Sequence, residues 1–186
     1  MTQGILEEIL GTDTEFRPDL LQLPIDFTSN SVSVPRILML SVLEFIATLS
    51  CALFAGAAVY INVVEHPARM QCGTEIAATV FGPSYRRATV MQASLALVAT
   101  LSALGAAWLA DSAFWLIGAL LIFSVVPFTL LVILPTNKQL LARGLDRAAP
   151  STQQLLVRWG RLHSVRSAAS VAADILFLIA VMRTHL

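Results

Sequence analysis

Residues 113–134 read AFWLIGALLIFSVVPFTLLVIL, a run of 22 residues without a charged side chain. A helix needs roughly 20 apolar residues to cross the hydrocarbon core of a bilayer. Three more apolar blocks occur along the chain, at about 37–60, 90–110 and 166–183. The sequence therefore predicts an all-α fold, an integral membrane four-helix bundle.

The overall composition agrees with a membrane protein. Hydrophobic residues make up 56% of the chain and charged residues 13%, whereas soluble domains usually carry about 25% charged residues. The 12 basic and 12 acidic side chains cancel, so no excess charge indicates nucleic acid as a partner. Cys51 lies in an apolar block and Cys72 in a polar segment, so no disulfide is expected.

The first 36 residues differ in kind from the rest. They are acidic, are interrupted by Pro18, Pro24 and Pro35, and lack the basic start and apolar run of a secretory signal. We expect residues 1–36 to form a loosely ordered acidic tail, with a short surface helix over Ile5–Leu10 as the alternative. The transmembrane domain is then 37–184. Its last helix is expected to start near a capping box formed by Ser151 and Gln154.

Basic residues are concentrated in two of the predicted connections. With four spans, loops 62–89 and 135–166 share one side of the membrane, and both termini share the other. These two loops hold nine of the twelve basic residues: Arg69, Arg86, Arg87, Lys138, Arg143, Arg147, Arg158, Arg161 and Arg166. The positive-inside rule therefore predicts that both loops are cytoplasmic and that both termini lie on the opposite side.

Two carboxylates fall inside predicted spans. Glu44 and Asp174 each belong to a stripe of small and polar residues at helical spacing, with Cys51 on the first stripe and Ser170 on the last. A charge at the centre of a membrane helix costs roughly 2.5–3.5 kcal/mol on insertion scales. Both stripes are therefore expected to face the bundle interior. For Cys51 and Ser170 the favoured interpretation is a close-packed helix seam.

A denser polar cluster is expected at the membrane face that carries the basic loops. All four helices bring hydrogen-bonding side chains there: Asn62, His66, Tyr85, Gln92, Asn137, Trp159, His163 and Arg166. A bundle mouth of this kind suits a small molecule. His163 can act as a base near neutral pH.

Several of these residues also have structural explanations. His66 precedes Pro67, where helices tend to end, and could simply cap the first helix. Asn137 suits a turn, Trp159 suits an interfacial anchor, and Arg69 is expected to meet lipid phosphate. Phosphate loops, nucleophile elbows and metal-binding motifs are missing. No metal site is predicted, because the two cluster histidines lie on different helices without ligand spacing.

The order of these patches resembles a known family. The quoted segments are YINVVEHPAR (60–69), PSYRR (83–87) with Met91-Gln92, PTNK (135–138), and Trp159 with Leu162-His163 and Arg166. From Ile37 to Met182 the chain is similar to the DUF1772 family of small four-helix membrane proteins, which includes fungal anthrone oxygenases. The Glu-His-Pro-Ala-Arg stretch looks more like the general family form than the fungal branch.

The resemblance implies a membrane-embedded oxygenase that oxidises an anthrone-like carbon acid to a quinone with dioxygen, without flavin or metal. His163 would be the base, Arg166 would bind the oxyanion, and His66 would be a second proton carrier. Asn62, Tyr85, Gln92, Asn137 and Trp159 would bind the substrate. The implied partners are the lipid bilayer, a hydrophobic aromatic molecule and dioxygen, with no cofactor. The alternative is a non-enzymatic membrane subunit or a small-molecule carrier.

Overall fold

The computed structural model describes residues 27–184, and the predicted tail up to Asp26 lies outside them. The chain divides after Val34 into two compact units, and the site lies in the unit that starts at Pro35. The first span consists of α1 (Phe27–Tyr60), a π-helical turn (Ile61–Glu65) and α2 (His66–Gln71). The second span is α3 (Thr74–Ala110). The third consists of α4 (Ala113–Phe128), a π-helical turn (Thr129–Ile133) and α5 (Leu134–Leu140), and the fourth is α6 (Pro150–Thr184).

The outer surface of the bundle is apolar. Among the described residues, four helices are long and apolar enough to cross a membrane. Large hydrophobic side chains such as Leu53, Leu101, Leu120 and Phe123 point outward. A surface of this kind is stable in lipid and costly in water. The chain is therefore a multi-pass membrane protein, and the predicted all-α bundle is confirmed.

The helices are longer than the apolar blocks that predicted them. The second span begins at Thr74, well before the apolar block at about 90–110, and the first helix begins at Phe27. Most of the two predicted loops is therefore helical: residues 62–71, 74–89 and 135–140, in addition to the helix that was expected from about Ser151. The connections are the Cys72–Gly73 turn and residues 141–149. At 1.5 Å per residue a 37-residue helix measures about 55 Å, so the polar ends of the helices extend beyond a core of about 30 Å.

Two prolines that were expected to end helices lie just after π-helical turns. Pro67 follows the turn Ile61–Glu65, and Pro135 follows the turn Thr129–Ile133. In each case the residue that follows the turn donates its N–H to a carbonyl five residues back, His66 to Ile61 and Leu134 to Thr129. The wider turn accommodates the missing N–H and the ring of proline, so the helix continues. His66 therefore does not end the first span, so the structural alternative in which it caps the first helix is wrong.

The start of the fourth span agrees closely with the sequence pattern. The helix expected from about Ser151 begins one residue earlier, at Pro150, where a proline is well tolerated because first-turn N–H groups have no helical acceptor. The Thr152 hydroxyl donates to the Asp146 carbonyl at 2.6 Å and ties the helix start to the preceding loop.

Two apolar clusters form the core. The central cluster lies among the spans and includes Phe54, Trp115 and Phe177. The ring of Phe177 packs so closely on Gly118 that an added Cβ would lie 2.5 Å from it. The loop-end cluster includes Phe81 and Trp159 and lies toward the 141–149 connection.

The polar stripes of the first and last spans face the interior, as predicted. Glu44 is buried, and Asp174 is half-buried with its Oδ1 shielded from solvent. The Cys51 thiol approaches the Ser170 carbonyl at 3.7 Å, which confirms the close-packed seam expected there.

The sidedness of the bundle stays a prediction, and the two cysteines provide its test. Cys72 is exposed in the turn after the first span, whereas Cys51 is buried. We expect a membrane-impermeant thiol reagent to leave Cys72 of this protein unlabelled in intact cells and to label it after the cells are permeabilised. The Cys72→Ser variant is the control and should stay unlabelled. Labelling of Cys72 in intact cells would reverse the predicted orientation.

Candidate functional site

A small polar cavity lies beside the loop-end cluster, whose Phe81 and Trp159 form part of its wall. All four spans contribute to its wall, which encloses about 30 Å³. That is room for one or two water molecules or a polar substituent, but not for a ring system. Its hydrogen-bonding residues are Arg69, Ser84, Tyr85, Thr89, Gln92, Asn137, Trp159, His163 and Arg166. We call this space the polar cavity.

His163 is a buried member of this cavity, held by a hydrogen bond. It is 2% exposed, and its Nδ1 lies 2.6 Å from Oδ1 of Asn62. The hydroxyl of Ser167, one turn further along α6, donates to the same oxygen at 2.6 Å. Asn62 lies in the first π-helical turn. The amide that holds the His163 imidazole therefore comes from an irregular segment of the backbone. Such turns frequently occur at functional sites.

The orientation of the Asn62 amide fixes the tautomer of His163. Asn62 Nδ2 donates to the Gly160 carbonyl at 3.2 Å and to the Ser164 hydroxyl at 2.8 Å. Because a carbonyl can only accept, the nitrogen must face Gly160 and the oxygen must face His163. An acceptor beside Nδ1 places the proton of the neutral imidazole on that atom. Nε2 therefore carries the lone pair that can accept a proton.

Trp159 forms the aromatic wall behind the histidine. Its ring stacks on His163, with centroids 4.8 Å apart, and meets Phe81 edge-on at 5.3 Å. His66 contacts the same indole at 5.2 Å. At Gly160 an added Cβ would lie 2.6 Å from Nε2 of His66, so the glycine permits this close approach. Trp159 is buried, so it is not the interfacial anchor that the sequence suggested as an alternative.

Arg166 lies between the polar cavity and an apolar one. Its guanidinium donates to Oε1 of Gln92 and lies over the ring of Phe54, 5.0 Å from its centroid. Both contacts are with uncharged groups, which position the cation without neutralising it. Arg166 can therefore stabilise negative charge that develops beside it.

Asn137 and Gln92 present unpaired amide atoms. Asn137 is 1% exposed, and neither its Nδ2 nor its Oδ1 has a hydrogen-bond partner within residues 27–184. The Nε2 atom of Gln92 is also buried and has no hydrogen-bond partner among these residues. Asn137 lies in α5 and not in the turn that sequence reasoning allowed. Buried unpaired polar groups are costly, which favours a ligand that pairs with them.

Arg69 also faces the cavity. Its side chain is 11% exposed and its Nη2 lies 3.5 Å from Oε1 of Glu65, which also accepts a hydrogen bond from Ser84 at 2.9 Å. The expectation that Arg69 meets lipid phosphate is therefore wrong. Arg86 and Arg87, by contrast, are exposed.

An apolar crevice adjoins the polar cavity. It encloses about 150 Å³ between the second and third spans, next to α6, and its wall includes Phe54, Val126 and Leu130. Its other wall residues include four that also line the polar cavity: Tyr85, Thr89, Gln92 and Arg166. Val126 and Leu130 are exposed on the outer face, so the crevice reaches the lipid side of the bundle. We call this space the apolar crevice.

The structure brings most of the predicted site residues together. Those that line the polar cavity are Tyr85, Gln92, Asn137, Trp159, His163 and Arg166. Asn62 supports His163 from behind, and His66 contacts Trp159 without lining the cavity.

Sequence reasoning missed Phe54 and Ser167. The position of Ser167, one helical turn after His163, was the only signal for it. No signal pointed to Phe54, because its contact with Arg166 joins distant parts of the chain. Between residues 27 and 184 no group of three or more His, Cys, Asp or Glu side chains could hold a metal ion.

Comparison with known proteins places this chain in a family. The anthrone oxygenase family matches residues 81–176, slightly more than half of the chain. The chain belongs to the anthrone oxygenase family. A 71-residue stretch is also 39% identical to anthrone oxygenase tpcL of Aspergillus fumigatus, covering 37% of this chain and 44% of that protein. The match thus spans less than half of that relative. No solved structure matches the chain.

The family match covers much of the site. Residues 81–176 include the parts of the polar cavity contributed by the second, third and fourth spans, among them Gln92, Asn137, His163 and Arg166. The first span, with Asn62 and Arg69, lies outside the matched range. The resemblance to the DUF1772 and anthrone oxygenase group is confirmed on this evidence.

Proposed function

We propose that this anthrone oxygenase family member is a membrane-embedded oxygenase. It converts an anthrone-like aromatic carbon acid and dioxygen into a quinone and water. The observation that carries the proposal is the buried His163, whose proton is fixed on Nδ1 by Asn62 and whose Nε2 is left as a base. The uncompensated guanidinium of Arg166 lines the same cavity.

The first chemical step is removal of a proton from carbon. An anthrone has an acidic methylene between two aromatic rings, opposite a carbonyl. Nε2 of His163 takes one methylene proton, and the electron pair moves to the carbonyl oxygen to give an enolate. Arg166 and the free Nε2 donor of Gln92 stabilise that oxyanion in surroundings that exclude most water.

The enolate is itself the reductant. It transfers one electron to dioxygen, and the resulting carbon radical and superoxide combine to form a carbon–oxygen bond. The peroxide oxygen takes up a proton, which the imidazolium of His163 can return. Cleavage of the O–O bond with loss of the remaining proton on that carbon gives the quinone and releases one water. One dioxygen is consumed for each quinone, and no external electron donor is required.

The apolar crevice suits entry of such a substrate from the membrane. An apolar cavity of 150 Å³ in another protein accommodates benzene, and the crevice has about the same volume. One ring therefore fits inside while the remaining rings extend toward the lipid-facing residues Val126 and Leu130. The carbonyl oxygen of the central ring then lies near the shared wall of the two cavities, which includes Arg166 and Gln92.

The direct test uses the full-length protein purified in detergent. Oxygen uptake and quinone absorbance are followed together with an anthrone under conditions where spontaneous oxidation has been measured and subtracted. We expect equal amounts of oxygen consumed and quinone formed, at a rate proportional to protein concentration. The Arg87→Gln variant, altered at an exposed site, should keep this rate. Binding of anthrone without quinone formation would instead support a carrier.

A further inference from the structure

The polar cavity is rich in unused hydrogen-bond donors. Within the described part of the chain, four buried side-chain nitrogens that belong to its wall have no partner: Arg69 Nε, Gln92 Nε2, Asn137 Nδ2 and Arg166 Nε. The proposed reaction uses Arg166 and Gln92. It assigns no role to Arg69 or Asn137, although Asn137 is buried and Arg69 is nearly buried.

The charge of the cavity is also unbalanced. Two guanidinium groups line it, and none of its described lining residues is acidic. The nearest carboxylate to Arg69 is that of Glu65, which contacts Nη2 and not Nε and is shared with Ser84. This contact fixes the orientation of Arg69 and leaves its Nε free. Glu65 pairs with Arg69, whereas Arg166 contacts only the uncharged Gln92 and Phe54 among the described residues. Because a buried charge is stabilised by pairing, the cavity favours an anion.

The free atoms match a planar oxyanion. Nε of Arg69 and Nδ2 of Asn137 can each donate to one oxygen of a carboxylate, and guanidinium groups suit this planar geometry. A volume of about 30 Å³ admits such a group and excludes the ring that carries it. The rings remain in the apolar crevice, which shares Arg166 and Gln92 with the cavity.

We propose that Arg69 and Asn137 form an anion subsite that binds an ionised acidic substituent, a carboxylate or phenolate, on the aromatic substrate. This inference rests on the proposed function, because it takes the substrate to be the carbon acid oxidised at His163. It makes Arg69 a specificity-determining residue for substrates that are already anions before they react.

The test is a binding measurement that requires neither oxygen nor turnover. Anthracene-9-carboxylate and 9-anthracenemethanol have the same ring system, are unreactive toward this chemistry and can be followed by fluorescence. In a neutral detergent we expect the full-length protein to bind the carboxylate at least tenfold more tightly, about the effect of one charge-assisted hydrogen bond. Arg69→Gln should abolish this preference. Arg86→Gln, which removes an exposed arginine, should leave it unchanged.

Three results would overturn the proposal. One is equal binding of the two ligands by the unmodified protein, and another is a preference that survives in Arg69→Gln. The third is displacement of the carboxylate by phosphatidylglycerol in an Arg69-dependent manner, since that would make the subsite a lipid headgroup site. If Arg69→Gln does not fold, Arg69→Lys keeps the charge without Nε and should bind the carboxylate more weakly than the unmodified protein; unchanged binding would count against the proposal. Because binding is measured separately, absence of oxygen uptake with intact carboxylate preference would defeat the oxygenase function alone.

Discussion

Replacing His163 with glutamine is expected to lower anthrone turnover by roughly 10²–10⁴-fold, the usual contribution of a general base. The amide can still accept or donate at the position of the imidazole, so the hydrogen bond to Asn62 and the fold should persist. It has no lone pair basic enough to remove a proton from carbon. The measurement is kcat from quinone absorbance, with thermal unfolding of the purified variant followed in parallel.

The matched control for this variant is His66→Gln. His66 contacts Trp159 but does not line the polar cavity, so its replacement should cost much less activity than that of His163. Arg166→Lys should also reduce turnover, because a point charge cannot reproduce the planar guanidinium held by Gln92 and Phe54. Full activity in His163→Gln together with loss in His66→Gln would exclude the assignment of His163 as the base.

Replacing Asn62 with leucine is expected to reduce kcat by about 10²-fold while changing KM little, because misplacement of a catalytic group by about 1 Å has this effect. Asn62 is a positioning residue that acts through His163. Leucine removes the acceptor at Nδ1, so the imidazole can rotate and can carry its proton on either nitrogen. The position of the substrate rings in the apolar crevice is unaffected, which is why KM should hold.

A conservative variant separates this positioning role from a purely structural one. Asn62→Asp keeps an acceptor for Nδ1, loses the donor to Gly160 and Ser164 and adds a negative charge beside the imidazole. Because the acceptor still orients His163, this variant should retain more activity than Asn62→Leu. Gln139→Leu, at an exposed position in α5, introduces the same side chain elsewhere and should behave like the unmodified protein. Equal losses in the leucine and aspartate variants, accompanied by equal losses of thermal stability, would argue that Asn62 serves only the fold.

The continuity of the helices required tertiary information. The polar segments that follow residues 62 and 135 indicate loops, up to the helix expected from about Ser151, because apolar periodicity stops there. The helices instead continue past the membrane boundary, supported by packing of the loop-end cluster around Phe81 and Trp159. Pro67 and Pro135 reinforced the mistake, because a π-helical turn before a proline has no sequence signature as plain as the proline itself.

The sequence by itself determined the fold class, because four predominantly apolar blocks of membrane length favour a helical bundle as a way to satisfy the backbone in lipid. It also determined that the polar residues gather at one end of the bundle, because consecutive spans must alternate in direction. Only the tertiary structure decided what each polar residue contacts. Arg69 and Arg86 are both arginines near one membrane face, yet one lines the polar cavity and the other is exposed. That difference depends on the rotation of each helix about its axis, which neighbouring side chains set and local sequence does not.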